Sequence, residues 1–123
     1  MIQSIDLVWI TVSDLKSAVK FYTEVIGLEL KELHETFGWA ELAGRKGGAR
    51  LGVAQTSNRE SHLPGQNAVI ALSVADIEKT KAELLKKGAK MVGDMVEVPH
   101  IVKLQKVQDS DGNLLQLAQS LEK

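Results

Sequence analysis

A segment near the start of this 123-residue chain returns, altered, in its second half. Ile5–Tyr22 reads IDLVWITVSDLKSAVKFY, and Ala68–Leu84 reads AVIALSVADIEKTKAEL. Aligning Asp14 with Asp76, an offset of 62 (76 − 14), brings Val12 onto Val74, Ile10 onto Leu72, Val8 onto Ile70 and Leu15 onto Ile77. With one residue of slippage, Gly27 meets Gly88. Similarity at a fixed offset suggests a duplicated supersecondary unit. The alternative is that any two strand-then-helix segments share some of this pattern.

The repeated unit opens with a strand. In Leu7–Val12 the even positions Val8, Ile10 and Val12 are aliphatic and the odd positions Leu7, Trp9 and Thr11 are mixed. A period of two places one set on a core and the other on the opposite face. Ile70, Leu72 and Val74 repeat the pattern against Val69, Ala71 and Ser73. Asp14 and Asp76 then stand where a helix N-cap belongs, since a carboxylate there accepts backbone N–H groups and complements the helix dipole. Leu15, Ala18, Val19, Tyr22 and Val25 fall at helical spacing, with Gly27 available for the left-handed C′ position. Ile77, Leu84 and Gly88 do the same in the second half.

Strands are expected over Leu28–Glu35, Trp39–Ala43 and Arg50–Gln55, with Gly47-Gly48 as the turn between the last two. After the second helix, Lys90–Val96, Ile101–Val107 and Leu114–Gln119 read as strands, and Asp109-Ser110-Asp111-Gly112-Asn113 as a tight turn. The polar stretch Thr56–Gln66, with Pro64-Gly65 near its end, reads as a linker. The expected organisation is an α+β chain of two β-α-β-β-β modules, about 1–55 and 67–123, joined by 56–66.

Composition narrows the function classes. A formal net charge of −1 offers no basic excess to neutralise phosphates, so nucleic acid is not an expected partner. The chain has no cysteine, which excludes disulfides, thiolate catalysis and cysteine-bound zinc. No apolar run reaches the roughly 20 residues needed to span a bilayer, so no membrane partner is expected. The first residues lack a basic stretch ahead of an apolar one, and a cytoplasmic location is expected.

Two motifs bring in a family. VSDLKSAVKFYTEVIGLEL (Val12–Leu30) resembles the opening of a vicinal-oxygen-chelate domain: strand, Asp cap, helix with Phe-Tyr, glycine turn. DSDGNLLQLAQ (Asp109–Gln119) resembles the same superfamily's closing hairpin, and GWAELAGRKGGARLGVAQ (Gly38–Gln55) is similar to it less specifically. The resemblance covers essentially the whole chain. It implies the glyoxalase/bleomycin-resistance/extradiol-dioxygenase fold, in which two βαβββ modules form a curved mixed sheet around a concave cup. It also implies, for metal-dependent members, a divalent ion held by His or Glu on four strands.

Carried over position by position, those ligand places fall on Leu7, Gly52, Val69 and Gln116. Leu, Gly and Val have no donor atom, and a lone amide carries no charge. No metal site and no cofactor are therefore expected, and glyoxalase, dioxygenase or transferase chemistry of the usual kind loses its basis. The expected lining is Leu7, Trp9, Thr11, Trp39, Glu41, Gly52, Ala54, Val69, Ala71, Ser73, Leu114, Gln116 and Ala118. Val8, Ile10, Ala40, Leu42, Leu51, Val53, Leu115 and Leu117 are expected to face the core. A largely apolar concavity with few polar groups suits a small molecule.

Candidate ligand-binding residues are Trp9, Trp39, Glu41, Gln116, His100 and Lys103. Each has a structural alternative. The tryptophans can serve as packing or as an interface between copies. Gln116 can satisfy a neighbour. Glu41 can be solvated at a sheet edge; inside an apolar cup it is instead a candidate general base. His34 and His100 lie at strand ends and could join Glu41 in a non-standard metal site, while His62 belongs to the linker. Lys103 and Gln105 point into the cup only if the hairpin register is right, because a one-residue slip reverses them.

The expected function is metal-independent binding of a small, partly apolar or aromatic molecule, as in bleomycin-resistance sequestration. The alternative is a glyoxalase-like lyase, isomerase or dioxygenase with non-standard metal or acid–base residues. A homodimer is expected, since strand faces this apolar are often buried against a second copy.

Overall fold

The computed structural model describes residues 3, 5–56 and 63–122. In the first half β1 (Leu7–Val12) leads to α1 (Leu15–Lys20), β2 (Glu29–His34), β3 (Trp39–Gly44) and β4 (Gly47–Gln55). In the second, β5 (Ile70–Ser73) leads to α2 (Ile77–Lys86), β6 (Lys90–Val98), β7 (Val102–Gln108) and β8 (Leu114–Ser120). Each half carries a four-stranded mixed sheet, in the orders β1-β4-β3-β2 and β5-β8-β7-β6. In each sheet the first strand pairs parallel with the last, and the others pair antiparallel. This is the βαβββ unit twice, the expected α+β fold. The chain divides into two compact units, Met1–Gln66 and Asn67–Lys123. No helix among the described residues is long and apolar enough to cross a membrane.

The strand periodicity settles which face each sheet buries. Ile10, Val12, Ala40, Leu42, Leu51 and Val53 are buried together with Leu15, Ala18 and Tyr22 of the α1 segment. Val8 has the same parity but stands 40% exposed near the start of β1. In unit two Val107, Leu115 and Leu117 are buried, as are Ile77 and Leu84 of α2. Fully burying an aliphatic or aromatic side chain contributes about 1.5–3 kcal/mol. These two helix-covered faces are therefore the main cohesive element of each unit.

Both helices are capped as expected. The Asp14 carboxylate accepts from Ser17 N–H at 3.1 Å, and Asp76 accepts from Lys79 N–H at 3.1 Å. A second cap accompanies each. Gln55, at the end of β4, accepts from Leu15 N–H through Oε1 at 3.0 Å, and Gln119 of β8 accepts from Ile77 N–H at 2.8 Å. Each helix start is thus tied to its own module's last strand.

Two local differences from expectation have simple causes. Beyond Lys20 the helix continues as a π-helical turn, Phe21–Val25. The Thr23 hydroxyl donates to the Val19 carbonyl at 2.7 Å, and Ile26 N–H reaches back five residues to the Phe21 carbonyl at 3.0 Å. A hydroxyl that competes for the carbonyl four residues earlier loosens the regular ladder. The β3–β4 turn falls at Arg45-Lys46 rather than Gly47-Gly48. Both glycines are in β4 with φ near +90°, which other residues rarely adopt, so they shape the strand's entry. The polar turn after β7 is as expected: Asp109 Oδ1 accepts from the N–H groups of Asp111 and Asn113, both at 2.9 Å.

Candidate ligand-binding face

The side of sheet one turned away from α1 gathers most of the residues singled out above. Strand register places Trp9, Gly52, Glu41 and Glu32 in one row across β1, β4, β3 and β2. The next row holds Thr11, Ala54, Trp39 and His34. Gly52 leaves a gap in the first row, and Trp39 fills it from the second. A Cβ on Gly52 would collide with Trp39 Cη2, with Cζ2 at 2.7 Å, and with Leu7 Cδ1 at 2.8 Å. Real Cβ contacts are essentially never that short, so the space is already taken by the indole. The Trp9 and Trp39 rings lie 6.4 Å apart between centroids, tilted by 60°. That is within the range of favourable aromatic pairing.

A polar ladder runs along this face. Trp39 Nε1 donates to Glu41 Oε2 at 3.0 Å. Arg50 Nη1 donates to Glu41 Oε1 at 3.0 Å and to Glu32 Oε2 at 2.7 Å. His34 Nε2 lies 3.1 Å from Glu32 Oε1. Five residues from three strands are thereby joined, from Trp39 through Glu41, Arg50 and Glu32 to His34. The hydrogen bond from His34, and then the one from Arg50, hold the Glu32 carboxyl below the usual glutamate range. The hydrogen bonds from Glu41 and then Glu32 raise the Arg50 guanidinium further above its usual value. Glu41 is the more enclosed of the two carboxylates: its side chain is 17% exposed against 44% for Glu32.

This geometry bears on each candidate. Trp9, Trp39 and Glu41 share the far face of sheet one. Both Glu41 oxygens already accept from cationic or indole donors, so the carboxylate is engaged as a support for Trp39 and Arg50. Each oxygen accepts one such bond and keeps a second lone pair, so Glu41 is held in a fixed orientation on this face. Gln116 lies on the far face of sheet two, level with Ala71 and Lys106. His100 occupies the turn between β6 and β7 with φ 69°, a left-handed conformation uncommon for a non-glycine residue.

Lys103 corrects the expectation that it points away from the helix. It pairs with Gln119, the residue that caps α2, and its Nζ meets Glu78 of α2 at 3.0 Å. Gln105 has the same parity and is buried beside the core. Its Nε2 donates to the carbonyl of Gly93 at 3.1 Å, where the β6–β7 register shifts between Val92 and Val96. His34 reaches Glu41 only through Glu32 and Arg50. His62 lies outside the described residues.

Arg50 and Glu32 escaped the sequence reading. Arg50 had a usable signal, sharing the parity of Gly52 and Ala54. Glu32 had none, because a register shift between Leu30 and Glu32 breaks the alternation of β2.

The positions that the family resemblance assigns to metal ligands do not fit a divalent ion in this chain. In unit one, Gly52 contributes no donor and the space above it holds Trp39 and Leu7, both carbon at the point of contact. In unit two the counterparts are Val69 and Gln116. Among the described residues no group of three or more His, Cys, Asp or Glu side chains is arranged to hold a metal.

The chain belongs to the Glyoxalase/Bleomycin resistance protein/Dioxygenase superfamily, whose family model matches residues 4–117. It is 32% identical over 127 residues to the uncharacterized protein YwbC of Bacillus subtilis (strain 168), covering 97% of this chain and 99% of that one. Among solved structures, a superfamily member from Sphaerobacter thermophilus DSM 20745 superposes with a TM-score of 0.81 at 21% identity, covering 97% and 98% of the two chains. TnmS3, an antibiotic binding protein from Streptomyces sp. CB03234, superposes with a TM-score of 0.78 at 25% identity, covering 97% of each chain.

Proposed function

We propose that this chain binds a small, partly apolar or aromatic molecule without a metal ion, on the far faces of its sheets. The observation that carries the reading is the Trp39 indole seated over Gly52, with Trp9 beside it. Where metal-dependent relatives are expected to present a chelating side chain, this chain presents two aromatic surfaces and a fixed polar ladder. Aromatic walls with a few oriented polar groups are the usual composition of a small-molecule site. The likeness to TnmS3, an antibiotic binding protein, supports the same reading. Trp9, Trp39 and Glu41 are the proposed contact residues on sheet one and Gln116 on sheet two.

We also read the chain as a cytoplasmic homodimer of two-module subunits. Support for a second copy comes from unit two, where Val69, Val96 and Val98 are 44%, 54% and 39% exposed. Sedimentation equilibrium at twice the chain mass is the expected result, and a monomer contradicts it.

Equilibrium dialysis with a neutral naphthyl compound tests the binding reading. Saturable binding is expected, weakened roughly threefold to tenfold by Trp9→Ala and by Trp39→Ala, the range that aromatic contacts supply. Undiminished binding to both variants, or none to the parent protein, overturns it.

A further inference from the structure

The charge on the tryptophan-bearing face is unbalanced. Glu32 and Glu41 share one guanidinium, that of Arg50, so the ladder holds two carboxylates to one arginine. The other ionised pair on β2, Glu29 with Lys31 at 3.0 Å, cancels within itself. The excess lies beside two indoles, whose ring faces attract cations. The Arg50 Nη1 donates to both carboxylates, so its positive charge is shared between two acceptors on this face.

Register fixes the spacing. Trp9, Gly52, Glu41 and Glu32 occupy consecutive strands of one row. Neighbouring strands lie about 4.8 Å apart, so Trp9 and Glu41 are separated by roughly 10 Å and Glu32 is one strand further. Glu32, at the sheet edge, is the more accessible of the two carboxylates.

We propose that the far face of sheet one selects an organic cation: an aromatic body that lies against Trp9 and Trp39, with a positively charged nitrogen about two to three strand spacings away, at Glu41 and Glu32. The inference rests on the small-molecule reading above and adds the sign and position of the ligand's charge. Trp39 sets the floor of the site over Gly52, and Glu32 sets its charge preference. Opposite charge across such a face raises both selectivity and encounter rate.

Three naphthyl probes on a common propyl spacer test this by equilibrium dialysis: one ends in trimethylammonium, one in the isosteric neutral tert-butyl group, one in carboxylate. The cation is expected to bind about three- to tenfold more tightly than the neutral isostere, the range of an exposed cation–π contact with one carboxylate, with the carboxylate probe weakest. Glu32→Gln should cut the ratio of cation to isostere affinity by about threefold, and added salt should shrink it in the parent protein. Equal or tighter binding of the isostere, or preference for the carboxylate, overturns the charge assignment and leaves the small-molecule reading standing. Failure of all three probes to bind overturns both.

Discussion

Trp39 lies against the space that a Cβ on Gly52 would occupy, and its indole N–H is anchored to Glu41 at 3.0 Å. The pair explains why position 52 is glycine although its φ is ordinary. A side chain there would displace the ring, and with it the hydrogen bond that links Trp39 to the Arg50 ladder.

Gly52→Ala is therefore expected to destabilise the fold by about 1–3 kcal/mol, the usual range for overpacking. The fluorescence should change too, because Trp39 is forced from its seat. Urea unfolding and the emission spectrum of the folded protein check this together. A variant as stable as the parent with an unchanged spectrum would contradict the packing described.

The paired glutamine caps predict a symmetrical effect. Gln55→Ala and Gln119→Ala each remove an acceptor from the first N–H of a helix. Each is expected to cost about 1 kcal/mol, as for loss of other capping side chains. Urea midpoints would read both. A loss confined to one variant would mean that the two modules do not depend on the same device.

Glu32 supplies a pH dependence whose sign can be worked out. Its carboxyl titrates lower in the folded protein than its ordinary value of 4.5, chiefly through His34 and then Arg50. A depressed folded value contributes stability that is fully present above the ordinary value and lost as pH falls through the folded one. The stability gap between the parent and Glu32→Gln should be widest near neutrality and close below pH 4.5. Urea midpoints measured against pH give the curve, and a gap that persists unchanged into acid would count against the ladder.

Much of the fold was legible because its signals are short-range. A period of two marked the buried strand faces, and Asp14 and Asp76 marked two helix starts. DSDGN marked a turn in which Asp109 satisfies two backbone N–H groups. The site was half legible. That Trp9, Trp39 and Glu41 share one face follows from strand parity alone, whereas Leu7, Gly52 and Val69 were singled out only through the family resemblance.

What escaped depends on register between strands, which local pattern does not encode. Arg50 meets Glu32 across 18 residues of sequence, and a bulge in β2 decides that they meet at all. Lys103 fell on the helix-covered face by the same one-residue arithmetic, because pairing with Gln119 commits it to the side of α2. The seating of Trp39 over Gly52 needs the tilt of a ring between two rows, which parity does not specify.

Metal independence is tested by binding of the neutral naphthyl compound before and after exhaustive dialysis against EDTA, and again with zinc or manganese restored. One affinity is expected in all three conditions, because Leu7, Gly52, Val69 and Gln116 offer no chelating set. Loss of binding in EDTA with recovery on adding the metal would contradict it.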